Sequence, residues 1–148
     1  MLNKKSEANL EIAAACLGMD DENFYSAGIS RAYYAIFQAT KFFLVKNSFD
    51  YSLFKRNVPK ARGQRDYAHG TISMALEYFL LNSGFNNEKD LIFIKRMRST
   101  FRRLYNWRVE GDYQDTVISK KNLNRAIKGV EKFINELKKY DSEGEIYE

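Results

Sequence analysis

Apolar residues recur along the chain at every third or fourth position, the spacing that places side chains on one face of an α-helix. Leu10, Ala13 and Leu17 show it near the start, and Leu123 to Leu137 continue it for several turns near the end. Asp20 or Asp21, Asn87 and Ser119 are residues that cap helix N-termini. The pattern predicts five helices, at about residues 6–17, 21–47, 66–81, 88–107 and 119–140.

The segments between these helices lack a clear apolar period. Residues 48–65 contain Pro59, Gly63 and five basic residues, which predicts a basic loop. Residues 109–118 form a shorter predicted loop around Gly111, and the polar, acidic residues 141–148 are expected to fray. One compact unit over residues 1–148 follows: an all-α, up-and-down bundle of about five helices.

Composition supports this fold class and narrows the cellular setting. The 148 residues are 45% hydrophobic and 29% charged, a balance typical of a globular domain rather than a disordered chain. With one cysteine the chain forms no internal disulfide, and a polar start offers no secretory leader. Apolar runs are too short for a membrane span. We therefore expect a cytoplasmic protein without a membrane segment.

Two arginines stand where the helical pattern predicts apolar surroundings. Arg108 continues the apolar stripe of the fourth predicted helix, and Arg31 lies in the apolar second helix. A buried guanidinium requires a carboxylate, a carbonyl or an anionic ligand, because an unpaired buried charge is costly. Arg108 therefore either pairs with Glu110 or Asp112, or binds a phosphate. Arg31 either bonds within the bundle or joins Arg108 in one anion site.

His69 is the only histidine and lies on the predicted apolar face of the third helix. An imidazole titrates near neutral pH and can act as a general base, although a lone histidine on such a face is also a common core residue. One histidine and one cysteine cannot form a zinc site, and the sequence has no phosphate-binding loop or dinucleotide motif. We expect no metal and no cofactor.

Basic residues concentrate in the fourth predicted helix, where Lys95, Arg98 and Arg102 flank the apolar stripe. The net charge of +5 favours polyanionic partners. Such a stripe is either a track for an RNA backbone or a solvated helix face. Three aromatic residues lie near this stripe in the sequence: Tyr105, Trp107 and Tyr113. Their rings either stack on the bases of a bound RNA or pack within the protein.

Three segments resemble the HEPN (higher eukaryote and prokaryote nucleotide-binding) family. They are the run Gly-Ile-Ser-Arg-Ala-Tyr-Tyr-Ala-Ile-Phe-Gln-Ala at residues 28–39, Ala-His-Gly-Thr-Ile-Ser at 68–73, and Arg-Val-Glu-Gly-Asp-Tyr at 108–113. The segments occur in the family's order, and with the last amphipathic helix the resemblance spans about residues 24–137.

The resemblance implies a helical bundle that dimerises and brings its polar motifs together near the dimer cleft. Many HEPN proteins are metal-independent ribonucleases that act as toxins, often beside a nucleotidyltransferase that neutralises them. Their motif is an arginine followed a few residues later by a histidine, in which the arginine stabilises the phosphate and the histidine assists attack by the 2′-hydroxyl.

In this chain Arg108 stands at the arginine position of that motif, followed by Asp112 and Tyr113 in place of the histidine. Either His69 approaches Arg108, or Tyr113 replaces the histidine. We therefore expect a toxin–antitoxin or defence ribonuclease with Arg108, Tyr113 and His69 as catalytic residues. Predicted nucleotide- or RNA-binding residues are Arg31, Asp112, Arg98, Arg102 and Lys95. The alternatives are an inactive module that binds a nucleotide or a partner, and a structural helical adaptor.

Overall fold

The structure is a computed structural model, and it describes residues 4–113 and 118–141, with only the backbone described for residues 111–113. Six α-helices form this part of the chain: α1 Lys4–Gly18, α2 Tyr25–Lys46, α3 Tyr51–Asn57, α4 Ile72–Asn82, α5 Glu88–Tyr113 and α6 Lys120–Leu137. Three short 3-10 helices lie at Glu22–Phe24, Pro59–Ala61 and Lys138–Tyr140. The described residues contain no strand, and the predicted all-α fold is confirmed. Nor does any described helix have the length and apolar character required to cross a membrane.

Helix α2 is the centre of the bundle and packs against α1, α4, α5 and α6. Twelve of its residues are buried, because its apolar positions lie on more than one side of the helix. At Gly28 a Cβ atom would lie 2.8 Å from both terminal methyl groups of Leu123 and 3.1 Å from Cys16 Cβ. The absence of a side chain at this position lets α1 and α6 approach α2 closely.

Side-chain caps fix where several helices begin. Asp21 accepts from the Asn23 backbone N–H before the first 3-10 helix, and Ser119 accepts from Asn122 N–H at the start of α6. Asn87 and Asp90 cap α5 reciprocally, each side chain accepting a bond from the other's backbone N–H. The caps predicted at Asn87 and Ser119 are therefore confirmed. Asp21, predicted to cap the second helix, caps the 3-10 helix that precedes α2, and α2 itself begins after Phe24 without a side-chain cap.

The prediction of a loop over residues 48–65 is wrong in its first part. Asp50 caps α3 by accepting from Leu53 N–H at 3.0 Å, and α3 buries Tyr51 and Phe54 against the core. Arg62 then folds back and donates to the carbonyls of Lys55 and Arg56, at 3.3 and 2.7 Å. An arginine at a helix C-terminus satisfies carbonyls that have no partner within the helix. These basic residues thus help to build local structure.

Helices α4 and α5 also differ from their predicted bounds. Helix α4 begins at Ile72 rather than near residue 66, and α5 continues to Tyr113 through the predicted loop around Gly111. With α3 added, the described part of the chain contains six α-helices, where five were predicted. Its last helix ends at Leu137, and a 3-10 turn carries the chain to Tyr140.

Asp141 is the first residue of the segment expected to fray, and for this residue the expectation is wrong. Asp141 is buried, and its carboxylate accepts from Lys46 Nζ at 2.8 Å. The ion pair attaches the chain after α6 to the end of α2. Residues 142–148 lie outside the described part of the chain.

Candidate functional site

A cleft of about 380 Å³ opens between α2, the turn that precedes α4, and α5. This volume is within the range of small-ligand sites in proteins. Its lining combines aromatic and apolar walls with two arginines and the single histidine: Tyr33, His69, Gly70, Ser73, Met74, Arg98, Phe101, Arg102 and Tyr105.

His69 reaches the cleft because α4 begins three residues later than His69. The prediction that His69 lies on a helix face is wrong, since residues 66–71 form turns in which Tyr67 has a left-handed backbone (φ 57°). The turn lays the imidazole over α2, parallel to the Phe37 ring at a centroid distance of 4.1 Å. His69 Nδ1 lies 2.9 Å from the Tyr33 hydroxyl oxygen.

The surroundings of His69 favour its neutral form. Burial lowers its pKa below the usual 6.5, and the positive charges of Arg108 and then Arg65 lower it further. The Tyr33 hydroxyl, which is almost fully buried, has its pKa raised to about 12 by burial. Near pH 7 the site therefore holds a neutral imidazole hydrogen-bonded to a protonated phenol.

Arg108 lies beside the cleft on α5, half-buried against two tyrosines of α2. Its guanidinium carbon is 5.2 Å from the ring centre of Tyr33 and 5.2 Å from that of Tyr34. Arg108 Nη2 donates to the Tyr34 hydroxyl at 3.3 Å. Cation–π contacts of this kind are favourable and hold a guanidinium against ring faces. His69 and Arg108 thus contact the same ring, that of Tyr33.

The basic stripe of α5 is exposed along its length. Arg98 and Arg102 line the cleft, and Arg98 forms an ion pair with Glu77 of α4 at 3.4 Å. Lys95 lies one turn earlier on α5 and is not among the lining residues. The cleft therefore has two arginines at its α5 side, with Arg65 and Arg108 close enough to influence His69.

The structure does not support an internal anion site at Arg31. This side chain is exposed and donates to Asn9 Oδ1 of α1 at 3.3 Å. The sequence around Arg31 is apolar, but its own position on α2 faces the outer edge of α1. Asp112 and Tyr113 belong to the last turn of α5, and their side chains lie outside the described part of the structure.

Several residues in the cleft or next to it were not predicted as site residues. Phe37 stacks on His69, Tyr34 binds Arg108, and Ser73 and Met74 form part of the α4 wall. A sequence signal was available for Phe37. Tyr33 and Phe37 are four positions apart, so they share one face of α2, whereas the spacing does not place the adjacent Tyr34 on that face. No comparable pattern singles out Ser73 or Met74.

Among the residues that the structure describes, no three histidine, cysteine or carboxylate side chains lie close enough to hold a metal ion. Comparisons of the chain with protein-family models, with curated proteins and with solved structures find no match.

Proposed function

We propose that the chain is a HEPN-like protein of a toxin–antitoxin or defence module that cleaves single-stranded RNA without a metal ion. The observation that carries the proposal is the position of His69, held neutral in a cleft that Arg98 and Arg102 also line. A neutral imidazole is suited to accept a proton, and guanidinium groups are suited to bind a phosphate. The HEPN resemblance adds the expectation that the polymer is RNA.

In the proposed reaction His69 is the general base. When Nδ1–H is donated to the Tyr33 hydroxyl oxygen, the lone pair on Nε2 accepts the proton of a ribose 2′-hydroxyl. The 2′-oxygen attacks phosphorus and the bond to the 5′-oxygen breaks, giving a 2′,3′-cyclic phosphate. The departing 5′-oxygen takes a proton from solvent, and protonated His69 returns its proton to solvent, which restores the neutral imidazole.

The arginines stabilise the charge of the phosphate during this step. Arg102 and Arg98 line the cleft and are exposed, so they can donate to phosphate oxygens directly. Arg108 has a positioning role in this proposal, since it contacts Tyr33 and lowers the pKa of His69. Tyr105, half-exposed at the cleft, offers a ring on which an unpaired base can stack.

The assembly around the site is also a proposal and rests on the resemblance. It comprises a homodimer in the cytoplasm, with a nucleotidyltransferase-type antitoxin as partner. The same proposal predicts that Tyr113 is a second catalytic group. It also predicts that Asp112 and Lys95 bind RNA.

A second candidate is a catalytically inactive module that binds a nucleotide in the same cleft. The observation that favours it is the packing of His69, whose ring lies flat on Phe37 and whose Nδ1 is bonded to Tyr33. A histidine packed and hydrogen-bonded in this way is also consistent with a purely structural role. A helical adaptor, the third alternative, requires neither the cleft nor its arginines.

The test is cleavage of single-stranded RNA by purified protein in EDTA. His69→Gln keeps a side chain of similar size and should reduce the rate by roughly 100-fold or more, the range for loss of a general base. Arg102→Gln should also reduce it, and Arg125→Gln, at an exposed position of α6, should leave it unchanged. Full activity of His69→Gln would refute the mechanism. If the wild type binds adenosine monophosphate but never cleaves RNA, the second candidate is correct.

A further inference from the structure

A larger cavity lies at the other end of α5, between the start of that helix and the end of α6. Its volume is about 570 Å³, and a narrower cavity of about 70 Å³ continues from it along the seam between the two helices. Phe93, Arg96 and Glu136 line both. The two cavities therefore form one groove, which we call the α5–α6 groove.

The floor of the α5–α6 groove is apolar and aromatic. Phe93, Met97 and Phe133 are buried beneath it, and the rings of Phe93 and Phe133 stack at a centroid distance of 5.7 Å. At Gly129 a Cβ atom would meet only Thr100 Cγ2, at 3.9 Å, so the narrow part is open where α6 has no side chain. This part of the groove suits an apolar chain of small cross-section.

A hydrogen bond fixes the wide end of the groove. The Tyr140 hydroxyl donates to Asp90 Oδ1 at 2.7 Å, and Asp90 Oδ2 accepts from the Asn87 backbone N–H. These bonds join the start of α5 to the chain after α6 and hold the Tyr140 ring against Phe93, at a centroid distance of 5.1 Å. The wide end is therefore shaped before any ligand enters.

Among the described residues that line the groove, cationic side chains outnumber carboxylates. The cations are Lys89, Arg96, Lys132 and Lys139, all exposed, and the carboxylates are Asp90 and Glu136. Asp90 is buried and accepts the two bonds described above, whereas Glu136 forms an ion pair with Arg96 at 3.5 Å. The charges at the rim thus complement an anionic head group, while the floor complements an apolar body.

We infer that the α5–α6 groove binds a small amphipathic organic acid, with its apolar body along Phe93 and Phe133 and its anionic group near Arg96 and Lys139. The inference is independent of the proposed ribonuclease, because none of these residues lines the cleft at His69. Carboxylates and phosphate esters share the required chemistry, and the choice of probe separates them.

The probe for this site is octanoate, titrated calorimetrically against the full-length protein. Octanol tests the apolar body alone, while propanoate and inorganic phosphate test the anionic group alone. We expect saturable binding of octanoate at a ratio of one per chain, with weaker binding of each control. Octyl phosphate binding more tightly than octanoate would assign the natural ligand to the phosphate esters within the same class.

Variants place the site on the groove. Removing two exposed charges with Arg96→Gln and Lys139→Gln together should weaken octanoate binding roughly tenfold. Gly129→Leu should abolish it by filling the narrow part, with the thermal transition checked for an intact fold. Lys128→Gln, the matched control at an exposed position of α6, should change nothing. Absence of saturable octanoate binding, equal binding of octanol, or equal weakening by Lys128→Gln would overturn the inference.

Discussion

Tyr33→Phe removes one hydroxyl group and leaves the aromatic packing of α2 in place. Tyr33 is 2% exposed, and its hydroxyl lies 2.9 Å from His69 Nδ1. The substitution deprives a half-buried ring nitrogen of this partner, which costs about 1–3 kcal/mol for a buried polar group. We expect a loss near the lower end, about 1–2 kcal/mol, because part of His69 is open to water.

Urea denaturation followed by circular dichroism measures this loss directly. The midpoint should decrease while the slope of the free energy against urea stays the same, since the surface exposed on unfolding is unchanged. Tyr34→Phe is a useful comparison, because it removes the hydrogen bond between Tyr34 and Arg108 and leaves the hydrogen bond between Tyr33 and His69 in place. A loss below about 0.5 kcal/mol for Tyr33→Phe, comparable to ordinary surface changes, would refute the claim that Tyr33 holds the imidazole.

Three further predictions concern the charge of Arg108, the stacking of an RNA base on Tyr105 and the ion pair of Asp141. Arg108→Gln should raise the pKa of His69 in a proton NMR titration. The pKa should still stay below 6.5, because burial is the larger cause of its lowering. An unchanged pKa would contradict the proximity of the two side chains. Tyr105→Ala should weaken binding of single-stranded RNA by about 1–3 kcal/mol in fluorescence anisotropy, whereas Tyr105→Phe should bind like the wild type; equal binding of the alanine variant would exclude stacking. Asp141→Asn should lower the free energy of unfolding by about 1–3 kcal/mol, less than the roughly 3–5 kcal/mol for a fully buried ion pair, because the Lys46 side chain is partly exposed. Unchanged urea stability would show that the chain after α6 is not attached there.

The lowered pKa of His69 also gives a direction to the dependence of stability on pH. Below about pH 6.5 an unfolded histidine takes up a proton, while the folded one remains neutral. The unfolded state then binds more protons, so His69 contributes a loss of stability as the pH falls from 6.5 through its folded pKa. His69→Gln should make the acid side of the stability curve less steep.

Long amphipathic helices were predictable from the sequence, and short or irregular segments were not. Helix α6 repeats apolar residues over four turns after the Ser119 cap, so its pattern fits an amphipathic helix and no other element. Helix α3 has only seven residues, too few for a period to emerge, and its burial depends on Tyr51 and Phe54 meeting the core. Asp50 caps this helix, but no apolar period follows Asp50 in the sequence to predict a helix there.

The candidate site was predictable in its residue types more than in its geometry. His69 matches the helical spacing of Ile72 and Leu76, yet the chain turns before Ile72, and the same histidine reaches the cleft from that turn. For Arg31 the apolar neighbours in sequence were misleading, because an individual helix position can face outward at the edge of a neighbouring helix. Tertiary packing decides both outcomes, and a single sequence does not record it.

The rate of RNA cleavage as a function of pH, in EDTA, tests the role of His69 most directly. With neutral His69 as the base, the rate should be high near pH 7 and fall as the pH drops through the His69 pKa, which lies below 6.5. In Arg108→Gln that acidic limb should move to higher pH, together with the pKa measured by NMR. A rate that rises only toward pH 10 would assign the base to a tyrosine, and a limb that Arg108→Gln does not move would contradict the account of this site.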